Sequence, residues 1–372
     1  MASPTPQDAA IRRPRRRRPV TIKDVAQLSG VSAATVTRAL QGHPRVLPAT
    51  RIRVEDAARR LDYRPDHAAR TLVTGISRTI GLLVPTIRDE YWAEVAAGIE
   101  PWAADEGYVV LIASGYGDPV RAEHMLEVFL GNRVDGIVVT TSAGVAEPRL
   151  AQAMGLPAVV VGLDPPVETL ELEGARSAPV TTLLDTGQRR RLNARLSHVG
   201  FDDVSGGKLA AQHLLELGHR RIAFLGGPST LATILRIAGV RVILEQSGLS
   251  LSSVLLGGDS VEHGRVAALD LLAGDREFTA LVAFNDSVAV GALRAARALG
   301  LDVPGQLSVV SFDDIPLAAL VEPALTTVRA PKREMGARAT ELLFDHMRND
   351  QHLSWELLPG ALVTRDSTGP PP

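Results

Sequence analysis

Three short amphipathic patterns fill residues 20–61. Thr21 with Asp24 three residues on forms a capping box that opens the first pattern; Val25 and Leu28 are its inner positions and Gly30 breaks it. Ser32 is a good N-cap for the second, whose inner positions Val36 and Leu40 lie four residues apart. Gly42-His43-Pro44 stops that helix. Pro48 suits the first turn of a third, which turns Ile52, Val54, Ala57, Ala58 and Leu61 inward and ends at Tyr63-Arg64-Pro65. From residue 79 the period changes. Apolar β-rich runs appear at Thr79–Val84, Val109–Ala113, Gly136–Thr140, Ala158–Val161, Ile222–Leu225, Leu281–Phe284 and Ser308–Phe312. Helical patterns stand between most of them, among them Tyr91–Ala104, Arg121–Leu130, Gly207–Leu217, Val288–Leu299 and Glu334–Met347. This alternation predicts parallel sheets covered by helices on both faces. Two sets of strands predict two lobes, with a ligand site in the cleft outside the strands' carboxyl ends. Residues 165–198 break the rhythm and read as a long surface loop or insertion.

Charge sharpens the division. Residues 1–75 hold fifteen Lys+Arg against six Asp+Glu, while the rest holds 25 against 36. A basic end that continues into a foldable segment points to a polyanionic partner there and not in the body. Residues 1–19, Pro- and Arg-rich without apolar period, read as a disordered basic tail with an arginine run from Arg12 to Arg18. The segment after that run is amphipathic rather than apolar, so it does not read as a secretory signal, and no apolar run approaches ~18 residues. The expected location is cytoplasmic. The chain has no cysteine, which removes disulfides, zinc fingers, iron–sulfur clusters and thiol nucleophiles.

Enzyme signatures are absent from the sequence: there is no Walker loop, no His-Glu-x-x-His, no Gly-x-Ser-x-Gly and no dinucleotide glycine fingerprint. The carboxylate pairs Asp202–Asp203 and Asp313–Asp314 are poor metal clamps, because neighbours in a strand face opposite ways. The expectation is a non-enzyme without cofactor or metal.

An ordered series of motifs resembles the LacI/GalR family of bacterial transcription repressors over about residues 20–368. The series opens with Val20-Thr21-Ile22-Lys23-Asp24-Val25-Ala26 and Gly30-Val31-Ser32-Ala33-Ala34-Thr35-Val36-Thr37-Arg38-Ala39-Leu40, followed by Thr50-Arg51 and Tyr63-Arg64-Pro65. It continues through Thr79–Pro85, Arg133–Ile137 and Leu217–Pro228, then Asn285-Asp286, Phe312–Pro316, Leu325–Val328 and Met335-Gly336. The resemblance implies an all-α helix-turn-helix headpiece over 20–65 and a hinge helix and linker over 66–78. It then implies an α/β two-lobed, periplasmic-binding-protein-like domain with parallel sheets over 79–368. Lobe one is expected at about 79–200 plus 326–349, and lobe two at about 201–325 plus 350–366.

The resemblance also implies roles. The second helix docks in the major groove, with Ala33 and Ala34 at its start and Thr37 and Arg38 one turn on. Arg38 suits a guanine edge, and the two alanines offer only apolar contact. Thr21, Ser32, Thr35 and Thr50 are placed to hold phosphates; for Thr21 and Ser32 this is compatible with helix capping. In the hinge, Leu72 matches the minor-groove wedge and Ala69 the close helix–helix contact, although a linker-helix leucine in a core reads the same way. Asp66 stands where the family usually has asparagine. In the cleft, Asp164, Arg236, Asn285 and Asp313 match polar ligand positions, and Tyr91 and Trp92 the aromatic pair of the first lobe. Asn285 and Asp313 also suit cap duty and Arg236 a surface ion pair. Ser260 stands where the family often has an aromatic. The implied partners are near-palindromic double-stranded operator DNA, a small-molecule effector of carbohydrate type, and a second copy of the chain. No heptad segment follows Asp366-Ser367-Thr368-Gly369-Pro370, so no tetramerisation helix is expected. A transport solute-binding protein shares the two-lobed fold and is the alternative; it calls for a signal peptide and no helix-turn-helix.

Overall fold

The computed structural model describes residues 20–63, 71, 75–116, 118–140, 155–162, 196–228, 230–273, 277–348 and 353–372. The chain divides into two compact units, Met1–Ser77 and Arg78–Pro372.

The first unit holds α1 (Ile22–Ser29), α2 (Ala33–Leu40) and α3 (Pro48–Arg60). The Asp24 carboxylate accepts from both the backbone N–H and the hydroxyl of Thr21, each at 2.7 Å. Ser32 caps α2 by accepting from Thr35 N–H at 3.2 Å. Gly30 closes α1 at φ 67°, a left-handed conformation that suits glycine. Val25, Val36, Ala39, Val46, Val54, Ala57 and Ala58 form the core. Two expected inner positions fail. Leu28 is 50% exposed and Ile52 66% exposed. The helices are only 8 and 13 residues long, so one narrow stripe of each reaches the shared core. Ser29 takes an inner place instead, its hydroxyl donating to Val25 C=O at 2.7 Å.

The second unit carries two six-stranded sheets. Sheet one runs β11-β5-β4-β3-β1-β2 and sheet two β12-β10-β9-β8-β6-β7. The strands are β1 (Thr79–Val84), β2 (Val109–Ser114), β3 (Gly136–Thr140), β4 (Ala158–Val161), β5 (Ser197–Phe201), β6 (Ile222–Leu225), β7 (Ser253–Leu255), β8 (Ala280–Ala283), β9 (Ser308–Asp313), β10 (Thr326–Arg329), β11 (Trp355–Leu358) and β12 (Ala361–Val363). All pairings are parallel except β10 with β12. The helices are α4 (Glu90–Asp105), α5 (Pro119–Gly131), α6 (Asp203–Glu216), α7 (Leu231–Gln246), α8 (Val261–Leu272), α9 (Asp286–Ala298), α10 (Pro316–Leu320) and α11 (Lys332–Met347).

One expectation about the irregular stretch and two about lobe membership are corrected. Residues 197–198, placed in the irregular stretch, begin β5, an interior strand between β4 and β11. Thr326–Arg329 belongs to the second sheet, not the first, and Trp355–Leu358 to the first sheet, not the second. The chain thus passes between sheets three times, after Phe201, after Arg329 and after Leu358. The reason is close packing at the passages: a Cβ on Gly360 would lie 2.6 Å from Phe201 and 2.8 Å from the Arg329 carbonyl oxygen. A hairpin-like spacing of two residues between β11 and β12 therefore joins two sheets rather than two neighbours.

One apolar core links both lobes through Ile80, Leu82, Val95, Ile99, Phe201, Phe224, Phe312, Met335 and Leu343. A second lies on the other face of sheet two around Phe278, Leu281, Ala292 and Val309, and a third on the other face of sheet one around Leu126, Phe129 and Ile137. The interior strands β1, β3, β4, β6 and β8 are near-continuous apolar runs because both faces are covered. Among the described residues, no helix is long and apolar enough to cross a membrane.

Candidate functional site

In the first unit, α2 carries the candidate recognition positions. Ala34 and Arg38, one turn apart, are exposed, and Ala33 and Thr37 are half-buried beside them. The Thr37 hydroxyl donates to Ala33 C=O at 3.0 Å, which leaves it free only to accept from a base edge. The Ser32 and Thr35 hydroxyls lie 2.9 Å apart, so between them one O–H remains for an outside acceptor. Thr50 stands half-buried in the first turn of α3. Leu47 is the N-cap residue of that helix and offers no side-chain cap. Ala69, Leu72, Asp66 and the Arg12–Arg18 run lie outside the described residues.

In the second unit the strand order sets the site. In sheet one the order reverses between β1 and β3, and in sheet two between β6 and β8. Ligands of parallel sheets bind at such switch points, outside the carboxyl ends of the strands. The chain after β1 enters α4 through Asp89, whose Oδ1 accepts from Tyr91 N–H at 3.0 Å. This places Tyr91 and Trp92 at the start of α4, edge to face with ring centroids 4.9 Å apart. Thr140 ends β3 and is buried, and among the described residues its hydroxyl has no hydrogen-bond partner. After β8, Asn285 caps α9, accepting from Val288 N–H at 2.8 Å and donating through its amide to Asp259 C=O at 3.1 Å. The cap reading of Asn285 therefore holds, and its amide also ties down the neighbouring loop.

Arg236 on α7 is the centre of the second-lobe wall. It is buried, which corrects the surface ion-pair reading. Its Nε donates to Asp203 at 2.7 Å, one terminal nitrogen to Asp313 at 3.4 Å, and the other to Phe284 C=O. The guanidinium lies 4.7 Å from the Phe284 ring centroid and 4.6 Å from that of Phe312. Helices α6 and α7 bring Asp203 to it because Gly207 and Gly239 let their backbones touch: a Cβ on Gly207 would lie 2.2 Å from the Arg236 carbonyl oxygen. Burial raises the Asp203 carboxyl to about 6 against the pull of Arg236, and burial raises Asp313 as well. Asp313 and Asp314 leave β9 at φ 103° and 53°, so they diverge. Asp313 meets Arg236, while Asp314 binds Arg329 and Arg365, each at 2.6 Å. Asp202 and Asp203 also separate, since Asp202 caps α6 through Ser205 N–H at 2.9 Å. The Lys332 ammonium donates to the backbone carbonyls of Asp313 and Asp314 and lies 5.9 Å from the Tyr91 ring centroid. Asp286 supports this corner from behind. It accepts from Thr327 at 2.7 Å, Ile315 N–H at 2.8 Å and Ser311, and burial raises it to about 7.

The structure thus brings together Tyr91, Trp92, Arg236, Asn285 and Asp313; Asp164 lies outside the described residues. Ser260 caps α8, with its hydroxyl 2.9 Å from His263 Nδ1. Sequence reasoning missed Asp89, Thr140, Asp203 and Lys332. Thr140 carried a signal, as a polar end to an otherwise apolar strand. Asp203 carried none, because only the α6–α7 contact reveals its partner.

The comparisons agree with this geometry. Residues 21–66 match the model of bacterial regulatory proteins of the lacI family, and residues 211–368 that of the periplasmic binding protein-like domain. Catabolite control protein A of Priestia megaterium is 31% identical over 354 residues, covering 94% of this chain and 99% of that protein. The solved lac repressor dimer bound to operator and the anti-inducer ONPF has 26% identity and TM-score 0.79, covering 95% of this chain and 100% of that one. A solved complex of the transcriptional regulator CelR with cellobiose has 28% identity and TM-score 0.65, covering 94% and 100%. A helix-turn-helix unit followed by a two-lobed domain, matched end to end by regulators, places this chain in the LacI family of DNA-binding transcriptional regulators.

Proposed function

We propose that the protein is a homodimeric repressor whose hold on a near-palindromic operator is set by a small sugar-type effector bound between the lobes. The observation that carries this reading is the clamp of Arg236, Asp203 and Asp313 facing Tyr91 and Trp92 across the two switch points. A guanidinium, carboxylates and the Asn285 amide suit adjacent hydroxyls, and the aromatic pair suits a sugar ring. The solved relative that holds cellobiose supports a carbohydrate effector here.

The three passages between sheets are the hinges. An effector that binds the closed lobes better than the open ones shifts that equilibrium, and only its differential affinity moves it. The shift changes the spacing of paired headpieces, which read half-sites ~10 bp apart. Arg38 reads a base edge, and Ala33, Ala34 and Thr37 line the groove. Phosphates are held by Thr50 and by the one O–H that Ser32 and Thr35 have to spare, while both Thr21 donors are taken up by Asp24. Residues 66–78 act as the hinge, with Ala69 at the helix–helix contact and Leu72 as the wedge. Edge strands β2 and β7 expose Val109, Ile112 and Val254, apolar surface that suits the second copy.

Sedimentation with and without a palindromic operator, joined to anisotropy titrations against sugars, tests the reading. It expects one dimer per operator and a sugar-dependent affinity. A monomer on DNA, or no preference over random DNA, overturns it.

A further inference from the structure

We infer that the interlobe cleft takes an effector bearing a positive charge, an amino sugar or another ammonium-bearing polyol, and rejects phosphorylated ones. The inference rests on the effector reading of this cleft and specifies its ligand.

The cations of the described cleft are turned to the protein. Arg236 is bound by Asp203, Asp313 and the Phe284 carbonyl, and Lys332 by the carbonyls of Asp313 and Asp314. Neither is left as a free anion receptor. The carboxylates outnumber them. Asp89 approaches from the first lobe, and Asp313 and Asp259 act on it from the second, with Glu90 beside it on its own helix. Asp259 acts on Asp313 as well. Like charges gathered from two lobes oppose closure unless a cation enters among them. The Tyr91 ring already has the Lys332 ammonium 5.9 Å from its centroid, so the aromatic face for a ligand ammonium is Trp92, at the start of the helix that Asp89 caps. Burial is the main cause that raises Asp89 to about 6, and the charges of Asp313, Asp259 and Glu90 add to it.

A separate observation points to a hydroxylated body for this cation. Thr140 is only 2% exposed, and among the described residues its hydroxyl has no partner. It sits at the carboxyl end of β3, on the sheet-one switch point. A buried hydroxyl left unpaired is costly, and a ligand hydroxyl at that switch point satisfies it.

The test uses the full chain and matched probes: glucose, glucosamine, N-acetylglucosamine and glucose 6-phosphate, with their galactose counterparts. Calorimetric titration at pH 7 and pH 5 gives the affinities, and operator release is followed in the same samples. An amine is expected to bind roughly tenfold tighter than its neutral parent and its N-acetyl derivative, and the phosphates not at all. The amine's advantage over its neutral parent shrinks at pH 5, where Asp89 takes up a proton; titration of Asp203 and Asp286 in the same range acts on both ligands. Asp89→Asn keeps the α4 cap and is expected to abolish the advantage. A neutral parent that binds as tightly as its amine, a phosphate that binds, a set in which no amine binds, or an unchanged ratio in Asp89→Asn overturns the inference. Operator release by a neutral sugar alone overturns the charge inference and leaves the effector reading standing. Operator affinity unmoved by every probe counts against the effector reading itself.

Discussion

Replacing Arg236 with methionine keeps the length of the side chain and removes its charge. Two buried carboxylates, Asp203 and Asp313, then lose their cation, and the Phe284 carbonyl loses a donor. Removing one partner of a buried ion pair costs about 3–5 kcal/mol, because the stranded charge cannot return to water. The cost depends on pH with a definite sign. Asp203 already stands near 6 with the guanidinium beside it, so without it the carboxyl rises further. A carboxyl raised in the folded state stabilises the fold below its unfolded value near 4 and loses that contribution as pH rises through the folded value. The full loss of about 3–5 kcal/mol is therefore expected at pH 8. At pH 5, with the Asp203 carboxyl protonated, it falls toward about 1–2 kcal/mol, the value of the lost hydrogen bonds. Denaturant unfolding of the single variant and of Arg236→Met/Asp203→Asn at both pH values measures this. The double variant is expected to recover part of the loss at pH 8, since it removes one stranded charge. A loss below about 1 kcal/mol at pH 8, a loss independent of pH, or strict additivity of the two changes refutes the account of the clamp.

Further predictions concern DNA. Arg38→Ala is expected to cost about 1–3 kcal/mol of operator affinity and to relax one position of the operator in a binding-site selection, with folding unchanged because the side chain is exposed. Uniform weakening on all sequences would move Arg38 to a phosphate. Leu72→Ala is expected to lower operator affinity and leave effector titrations as they are; an unchanged operator affinity removes the wedge role. Deleting residues 1–19, with six arginines in Arg12–Arg18, is expected to flatten the dependence of log affinity on log salt, and an identical slope shows that the run makes no phosphate contacts.

The headpiece was legible because its signals are local. Thr21, Asp24, Ser32, Gly30 and Pro48 are caps and breakers, and each does its work within a few residues. Leu28 and Ile52 misled because apolar character at helical spacing does not say how wide a stripe a small core can cover. In the larger unit, periodicity found strands that are wholly apolar and missed short or polar ones, such as β7, β11 and β12. It also missed β5, Ser197-His198-Val199-Gly200-Phe201, where Ser197 and His198 are buried by neighbouring strands and not by their own hydrophobicity.

Sequence alone determined the class of each unit and the family, because these are carried by local pattern and motif, and it named Tyr91, Trp92, Arg236, Asn285 and Asp313 as candidate cleft positions. Only the tertiary structure decided which sheet each C-terminal strand joins, since Gly360 and Phe201 settle that by close packing across the passages. It alone showed that Arg236 is held by Asp203, thirty-three residues away in sequence, and that Thr140 is buried with its hydroxyl unpaired. The first of these shows that the Arg236 charge is met by the protein's own carboxylates. Charge in a site is a sum over neighbours in space, and neighbours in space are what a linear pattern does not record.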